Sequence, residues 1–262
     1  MADMIQIITL CSGKGGVGKT FLAVNLAIAL SKKNKDVVLI DGDLQFGDVG
    51  MAMDLQPTLT MKDLLDEQDR LDSHNITNYL VEHKSGVYVL SAPERPEYAE
   101  LIDGEFIKNT LNLLKERFDY IVIDGGHGID DSAIDFMDVA DQILAVTTPE
   151  VASLKNTKRL IETIHQLQMN EKLDVLLNRH GLDSLIKAEE IPGMLRADKL
   201  HDIPNNNKVA MQSLNLGDPA VISHSKSDLA KKIFKLAQSI VDDQVESKPS
   251  KKKHSLISRM FF

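Results

Sequence analysis

The sequence contains a single cysteine and no long hydrophobic run, and both absences exclude classes of protein. Cys11 alone cannot build a disulfide scaffold. No apolar stretch approaches the roughly 18 residues that a membrane-spanning helix needs. No basic leader precedes the first apolar run, so we expect a protein of the reducing cytoplasm. The net charge of −9 argues against a chain that mainly coats nucleic acid, and 43% hydrophobic residues argue against disorder throughout.

Charge is distributed unevenly along the chain. The segment from Ser247 to Phe262 carries five basic residues and no acidic one. This segment therefore holds +5, which leaves −14 on the rest of the chain. The composition also changes near Asp243, where a Lys-, Ser- and Pro-containing stretch begins. We therefore predict one domain, residues 1–243, followed by a basic tail, residues 244–262.

Short apolar runs alternate with longer helical patterns in the predicted domain. The runs are nearly continuous in valine, isoleucine and leucine, as in strands that are buried on both faces of a parallel sheet. The predicted strands are Ile5–Cys11, Val37–Ile40, Val87–Leu90, Tyr120–Ile123, Gln142–Thr147 and Leu173–Asn178. The predicted helices are Phe21–Lys33, Glu105–Arg117, Pro149–Gln168 and Ser225–Asp242. This alternation predicts an α/β fold with a mostly parallel, doubly wound sheet flanked by helices.

The strongest motif lies between the first predicted strand and the first predicted helix. Residues 13–20 read Gly-Lys-Gly-Gly-Val-Gly-Lys-Thr and satisfy the phosphate-loop pattern G-x-x-x-x-G-K-[ST]. Glycines let the backbone wrap closely around phosphate oxygens, and the helix N-terminus adds positive potential. The pattern predicts that Lys19 reaches the β- and γ-phosphates of ATP and that the Thr20 hydroxyl holds Mg²⁺.

A second lysine, Lys14, makes the motif resemble the deviant Walker A loop of the MinD/ParA family of P-loop ATPases. The resemblance implies that Lys14 reaches the nucleotide of a partner subunit, so that ATP joins two copies into a homodimer. A cation supplied only after assembly would act like an arginine finger on the transferred phosphoryl group. A plain surface lysine is the alternative.

The resemblance extends to acidic residues that follow two later strands. Residues 37–43 resemble the second strand and first switch of the family, which implies that Asp43 activates the attacking water and that Asp41 holds a magnesium-bound water. Residues 118–124 resemble the Walker B strand, with Asp124 on the water shell of magnesium. All three acids would stand at the carboxyl edge of the sheet, where ligands bind in open α/β folds. Solvated acids in an Asp-Gly-Asp turn are the alternative for the first pair.

Further segments resemble the part of the family fold that binds the base. Residues 146–153 resemble the strand that leads into a dimer-facing helix, and residues 178–179 and 203–205 resemble segments beside adenine. The predicted nucleotide site consists of Gly13, Lys14, Gly15, Gly16, Val17, Gly18, Lys19, Thr20, Phe21, Asn178, Arg179, Pro204 and Asn205. Catalysis is predicted for Lys14, Lys19 and Asp43, and metal binding for Thr20, Asp41 and Asp124.

The second switch departs from the family pattern. The family follows the Walker B aspartate with a Pro-Ala-Gly type segment, whereas residues 125–128 read Gly-Gly-His-Gly. Without the proline we expect a looser switch, because glycine costs more entropy to order. His127 can contact phosphate or a partner, or it can lie in a solvated loop, and no catalytic role is predicted for it.

Residues 42–65 and 91–100 resemble the CpaE/TadZ subgroup, whose members help to place pilus and secretion machinery. This resemblance predicts a positioning ATPase that works with an unidentified activating or cargo protein. MinD-like placement of the division site and FlhG-like placement of flagella are the near alternatives.

The tail has an amphipathic pattern. In a helix, Leu256, Ile257, Met260 and Phe261 share one face, and Lys251–Lys253 lie elsewhere. The pattern predicts an anchor on an anionic membrane and is similar to membrane-targeting tails of the family. Two tails in a dimer would bind more tightly than one, which predicts reversible, peripheral association with the inner face of the cell membrane. A disordered terminus and a docking peptide for a protein are the alternatives.

Two other functional classes share this fold. A DNA-binding partition ATPase would need a basic patch, for which Lys226, Lys231, Lys232 and Lys235 are the candidates. The charge of −14 on the domain argues against DNA binding. The nitrogenase iron protein bridges an iron–sulfur cluster with two cysteines per subunit, which Cys11 alone cannot supply.

Overall fold

A computed structural model of the chain describes residues 5–246, which form one eight-stranded sheet with helices on both faces. The strands are β1 (Gln6–Ser12), β2 (Val37–Gly42), β3 (Val81–Glu82), β4 (Tyr88–Leu90), β5 (Tyr120–His127), β6 (Gln142–Thr147), β7 (Leu173–His180) and β8 (Leu200–Pro204). The α-helices are α1 (Lys19–Ser31), α2 (Val49–Ala52), α3 (Met61–Asp66), α4 (Gly104–Lys115), α5 (Asp131–Asp138), α6 (Val151–Gln166), α7 (Ile191–Leu195), α8 (Asn207–Leu216), α9 (Ala220–Ser223) and α10 (Asp228–Glu246). Short 3₁₀ turns lie at Gln68–Arg70, Ile76–Tyr79, Pro96–Leu101, Asn170–Lys172 and Ala188–Glu190.

The strand order is β3-β4-β2-β5-β1-β6-β7-β8. Every neighbouring pair is parallel except β3 and β4, which are antiparallel. The predicted mostly parallel, doubly wound α/β fold is therefore confirmed. All six predicted strands are present, and the two edge strands, β3 and β8, were not predicted.

The two faces of the sheet bury separate cores, because successive side chains of a strand point to opposite sides. In β1, Ile8 and Leu10 pack against α1 and α10, whereas Ile7 and Cys11 pack on the face covered by α4 and α5. The helix α1 lies between the sheet and α10, so nearly all of it is buried instead of a single stripe. The phosphate loop that precedes α1 is thereby anchored to the most enclosed helix of the fold.

β5 continues beyond its predicted end at Ile123 and reaches His127. Gly125 pairs with Gly42 of β2, and His127 pairs with Ser12 of β1. A Cβ atom on Gly125 would lie 2.6 Å from the Leu10 carbonyl oxygen, so only glycine permits this approach. Residues 125–127 therefore belong to the sheet, and His127 ends a strand. The looser second switch stays a prediction.

The last helix, α10, extends four residues beyond its predicted end at Asp242. Its apolar stripe, Leu229, Ile233, Leu236 and Ile240, is buried. The tail from Ser247 onward, with the predicted membrane anchor, lies outside the described residues. Among residues 5–246, no helix combines the length and the apolarity that crossing a bilayer requires.

Candidate functional site

The phosphate loop occupies residues 13–18, between β1 and α1. The Ser12 hydroxyl at the end of β1 donates a hydrogen bond of 2.9 Å to the Lys14 carbonyl. Gly16 and Gly18 have φ angles of 75° and 94°, in the left-handed region that only glycine enters without strain. Gly18 caps α1, so the loop leads directly into a helix N-terminus with free N–H groups. This geometry suits an anion such as a phosphate.

Residues of α6 and β7 pack closely against two glycines of the loop. A Cβ atom on Gly13 would lie 2.6 Å from the carbonyl oxygen of Asn156 in α6. A Cβ atom on Gly18 would lie 2.5 Å from Nδ2 of Asn178 at the end of β7. The glycines of the motif therefore serve packing as well as phosphate access.

Two buried carboxylates, Asp41 and Asp124, lie on neighbouring strands, and Asp124 interacts with Lys19 and Thr20 in the first turn of α1. The two aspartates are register partners on β2 and β5. Burial raises the pKa of Asp124 to about 6, against the lowering effects of the Lys19 charge and of a hydrogen bond from the Thr20 hydroxyl. Burial, followed by the nearby Asp124 charge, holds the pKa of Asp41 well above its usual range. Such carboxylates gain stability when a cation approaches them.

The two carboxylates fit a magnesium ion. Each has a buried Oδ1 atom that accepts no hydrogen bond from the described residues. Mg²⁺ keeps several waters and is usually held by one or two carboxylates together with substrate phosphates. Within residues 5–246, no group of three or more His, Cys, Asp or Glu side chains is arranged to hold a metal by itself. Thr20, Asp41 and Asp124 therefore fit an ion that binds together with nucleotide phosphates.

A cavity of about 470 Å³ opens above the loop, and this volume lies in the range of small-ligand sites. It brings together residues that the sequence analysis drew from three separate segments. Its lining includes Gly15, Gly16, Gly18, Lys19, Thr20, Phe21, Asp43 and Arg179. Asp48, Met51 and His127, which were not predicted as site residues, line it as well.

A second pocket of about 90 Å³ contains the residues predicted to surround the base. Phe21, Asn178, Arg179, Pro204 and Asn205 all line it. The side chains of Asn178 and Arg179 also donate hydrogen bonds to the phosphate loop. Asn178 Nδ2 donates to the Val17 carbonyl at 2.8 Å, and Arg179 Nη2 donates to the Gly16 carbonyl at 3.0 Å. The second pocket and the phosphate loop are thus connected through β7.

The Asp43 carboxylate lines the larger cavity and has two neighbours. Its Oδ1 accepts a hydrogen bond of 3.2 Å from the Phe46 backbone N–H. Its Oδ2 lies 3.8 Å from Nδ1 of His127. The residue predicted to activate water therefore lies beside the cavity, with a hydrogen bond from its own loop and an imidazole nearby at the end of β5.

Lys14 forms an ion pair within its own chain. Its Nζ donates to Glu150 Oε2 at 2.6 Å, and Arg179 Nη1 lies 3.9 Å from Glu150 Oε1. The hydrogen bond from Lys14 is the main reason that the pKa of Glu150 is lowered. Glu150 is the N-cap residue of α6. The lysine that sets this motif apart is thus tied to the helix that packs against Gly13.

Besides Asp48 and Met51, sequence reasoning missed two residues that contact predicted site residues, Glu150 and His127. Glu150 lies 136 positions from Lys14, and the only local signal was an acid at the start of a predicted helix. His127 was noticed because it departs from the family pattern, but nothing in the sequence connected it to Asp43. Both pairings depend on how the sheet brings distant loop ends to one edge.

A glycine-rich loop between a central parallel strand and a buried helix, opposite two buried carboxylates, defines a P-loop nucleotide-binding protein. A family model described as an AAA domain matches residues 5–176. An uncharacterised ATP-binding protein of Methanocaldococcus jannaschii is 30% identical over 91% of this chain and 88% of its own, and the septum site-determining protein MinD of Synechocystis is 29% identical over 86% and 85%. The chain belongs to the MinD/ParA family of P-loop ATPases.

Solved structures agree with this assignment. A ParA family ATPase from Chlorobium tepidum matches with a TM-score of 0.84 and 25% identity, over 90% of this chain and 99% of that one. The septum site-determining protein MinD from Pyrococcus horikoshii, complexed with Mg-ADP, matches with a TM-score of 0.79 and 26% identity, over 93% and 98%. The predicted fold and family are confirmed, and the CpaE/TadZ subgroup stays a prediction.

Proposed function

We propose that this ATPase uses Mg²⁺, dimerises around ATP, binds membrane in that state and leaves it after hydrolysis, and that it thereby positions cellular machinery. The observation that most supports this proposal is the phosphate loop itself. It joins a buried lysine, Lys19, to a half-exposed second lysine, Lys14, and it faces the buried pair Asp41 and Asp124. Such a loop holds one cation for its own nucleotide and carries another at its rim.

Each site residue has a role in this proposal. Loop N–H groups and Lys19 bind the phosphates, and the base lies between Asn178 and Pro204. Asp41 and Asp124 would hold Mg²⁺, and the ion would neutralise charge on the β- and γ-phosphates of ATP. A Pyrococcus relative has been solved as a Mg-ADP complex. Asp43 orients the attacking water and accepts its proton.

Exposed apolar side chains support a second copy as the partner. Phe46 and Met51, which follow the first switch, and Val151, which follows Glu150, are each more than half exposed. Met51 lines the nucleotide cavity, so this apolar surface adjoins the site. Exposed apolar groups around a ligand site are typical of interaction surfaces. A second chain would cover them and bring its own Lys14 to the phosphates.

The tail supports the membrane part of the proposal through its sequence alone. Each large apolar side chain that enters a bilayer interface contributes roughly 1.5–3 kcal/mol, and each basic residue at an anionic surface contributes about 1 kcal/mol. Ordering the tail offsets much of this gain, so one copy binds weakly. Two copies in an ATP dimer gain through effective concentration.

Two kinds of machinery have separate support. Residues 42–65 favour pilus or secretion machinery through their resemblance to the CpaE/TadZ subgroup. The septum site-determining relative favours placement of the division site. DNA partition has less support, because Lys231 pairs with Asp228 at 3.1 Å and Lys232 pairs with Asp202 at 2.8 Å, which reduces the positive charge of that helix face.

Co-sedimentation with anionic vesicles tests the proposal. The full chain and a chain that ends at residue 250 are each incubated with Mg-ATP and with Mg-ADP, and Asp43→Ala serves as the variant that holds ATP without hydrolysing it. We expect the full chain to sediment with ATP, to stay in the supernatant with ADP, and to sediment most completely as Asp43→Ala. Equal sedimentation of the truncated chain would contradict the role of the tail as a membrane anchor. Salt-dependent binding to nonspecific DNA in a parallel assay would favour the partition function.

A further inference from the structure

His127 is held in a defined place at the rim of the nucleotide cavity. It is the last residue of β5 and pairs with Ser12, where the phosphate loop begins. The next residue, Gly128, donates its N–H to the Ser12 carbonyl at 3.0 Å and turns the chain with a φ of 93°. The backbone of His127 is therefore fixed on both sides, although its side chain is 61% exposed.

The imidazole approaches one oxygen of a carboxylate whose other oxygen is already occupied. Nδ1 of His127 lies 3.8 Å from Oδ2 of Asp43, while the Phe46 N–H holds Oδ1 at 3.2 Å. The Phe46 N–H and the imidazole thus approach the carboxylate from two directions, and a closer approach of the imidazole would limit rotation about χ2 more than the single hydrogen bond does. Both side chains also line the cavity that fits the nucleotide.

We propose that His127 is a positioning residue for Asp43 and thereby helps to set the rate of ATP hydrolysis. The inference rests on the proposed function, in which Asp43 orients the attacking water. Groups that orient a reacting atom must be held within about 0.5 Å of the productive place, and a misplacement of about 1 Å can lower a rate a hundredfold. The second switch of this chain thus lacks the family's proline and carries a histidine that supports the first switch.

A matched pair of variants tests this role. His127→Asn keeps a polar nitrogen near the position of Nδ1, and His127→Leu keeps a similar volume without any polar atom. We expect His127→Leu to lower the single-turnover rate of phosphate release at least tenfold and to leave the affinity for Mg-ATP within twofold of the original chain. His127→Asn should recover at least a third of the original rate.

The measurements separate a positioning role from other roles. A loss of Mg-ATP affinity that parallels the loss of rate would overturn the inference, because it would make His127 a nucleotide contact. An unchanged rate in His127→Leu would also overturn it, as would equal rates in His127→Asn and His127→Leu. Thermal melts of each variant monitor folding, and His127→Ala replaces the leucine variant if that variant melts early.

The same assay keeps the inference apart from the proposed function. Phosphate release in a single turnover requires no membrane or cargo, so failure of the vesicle assay leaves the His127 result intact. Absence of phosphate release from the original chain, with ATP, Mg²⁺ and vesicles present, would overturn both. Active original chain with an equally active His127→Leu would overturn only the role of His127.

Discussion

Lys14 Nζ lies 2.6 Å from Glu150 Oε2, so the distinctive cation of the phosphate loop is neutralised by an acid of its own chain. Arg179 approaches the other oxygen of the same carboxylate at 3.9 Å. In the proposed dimer Lys14 serves the nucleotide of the partner. Dimerisation must therefore break the bond between Lys14 and Glu150 and replace it with bonds from Lys14 to phosphate. The free energy of the Lys14–Glu150 bond is subtracted from the free energy that the phosphate contacts contribute to the dimer.

Replacing Lys14 separates ATP binding from ATP hydrolysis. We expect Lys14→Ala to bind Mg-ATP within a few-fold of the original affinity, because Lys19 remains in place. Hydrolysis should fall at least a hundredfold, since a cation supplied in trans to the phosphoryl group contributes roughly 10³–10⁵ in rate in related enzymes. Equilibrium titration with Mg-ATP and phosphate release measure the two effects. Lys32→Ala, at an exposed position beyond the end of α1, is the matched control. Hydrolysis by Lys14→Ala at the original rate contradicts the role in trans.

Releasing Lys14 from its own chain should favour the dimer. We expect Glu150→Gln to dimerise at a lower ATP concentration, because the competing intrachain ion pair is lost. The shift should not exceed about fivefold, since half-exposed ion pairs contribute at most about 1 kcal/mol. The ATP dependence of the dimer fraction, measured by light scattering, gives the shift. Glu162→Gln, at an exposed position of the same helix, is the control. A higher ATP requirement in Glu150→Gln would show instead that Glu150 belongs to the dimer contact.

The buried carboxylate of Asp124 should lower stability when no cation is bound. Its pKa of about 6 in the folded state exceeds that of an unfolded aspartate, so ionisation above pH 6 opposes folding. We expect Asp124→Asn to raise the free energy of unfolding of the nucleotide-free protein at pH 7.5 by up to about 3 kcal/mol. The difference should shrink as the pH falls from 6 towards 4.

Mg-ATP should reverse the ranking of these two proteins. The original chain gains stability from the bound ion and nucleotide, and Asp124→Asn gains less. Urea titrations with and without Mg-ATP measure both differences, and Asp138→Asn, at an exposed position of α5, is the control. Equal Mg-ATP stabilisation of both proteins would argue against a role for Asp124 at the metal.

Cys11 offers a probe of unfolding. It is 2% exposed in the middle of the sheet, and burial raises its pKa to about 12. At pH 8 only about one thiol in 10⁴ is then ionised in the folded protein, so a disulfide reagent should react only after unfolding. The rate of labelling in dilute urea should fall when Mg-ATP is added, because the ligand lowers the unfolded population. Immediate labelling of the folded protein would contradict the burial of β1.

The sequence predicted the central strands well because their side chains are apolar on both faces. It did not predict β8, which reads Leu-His-Asp-Ile-Pro over residues 200–204. An edge strand tolerates proline and polar residues, and here the polar side chains find partners in the fold. His201 lies 3.2 Å from Asp174, and Asp202 pairs with Lys232. Such a strand is stabilised by contacts with distant parts of the chain, and a local sequence pattern does not show these contacts.

The candidate site likewise has a part that the sequence predicted and a part that it did not. The phosphate loop is contiguous, and its spacing therefore revealed its chemistry directly. The extension of β5 through Gly125 and Gly126 contradicts the strand propensity of glycine and depends on the close approach of β1. The pairs Lys14–Glu150 and His127–Asp43 follow only from the positions of strand ends along one edge. Resemblance to the family located one member of each pair.

The helix α6 contacts the phosphate loop at two points. Asn156 packs against Gly13 at the start of the loop, and the N-cap residue Glu150 accepts a hydrogen bond from Lys14. The helix has 16 residues and is about 24 Å long. A tilt of about 10° at the loop would carry Gln166 through about 4 Å. A binding partner that tilts the far end of α6 would therefore displace the phosphate loop without touching the nucleotide.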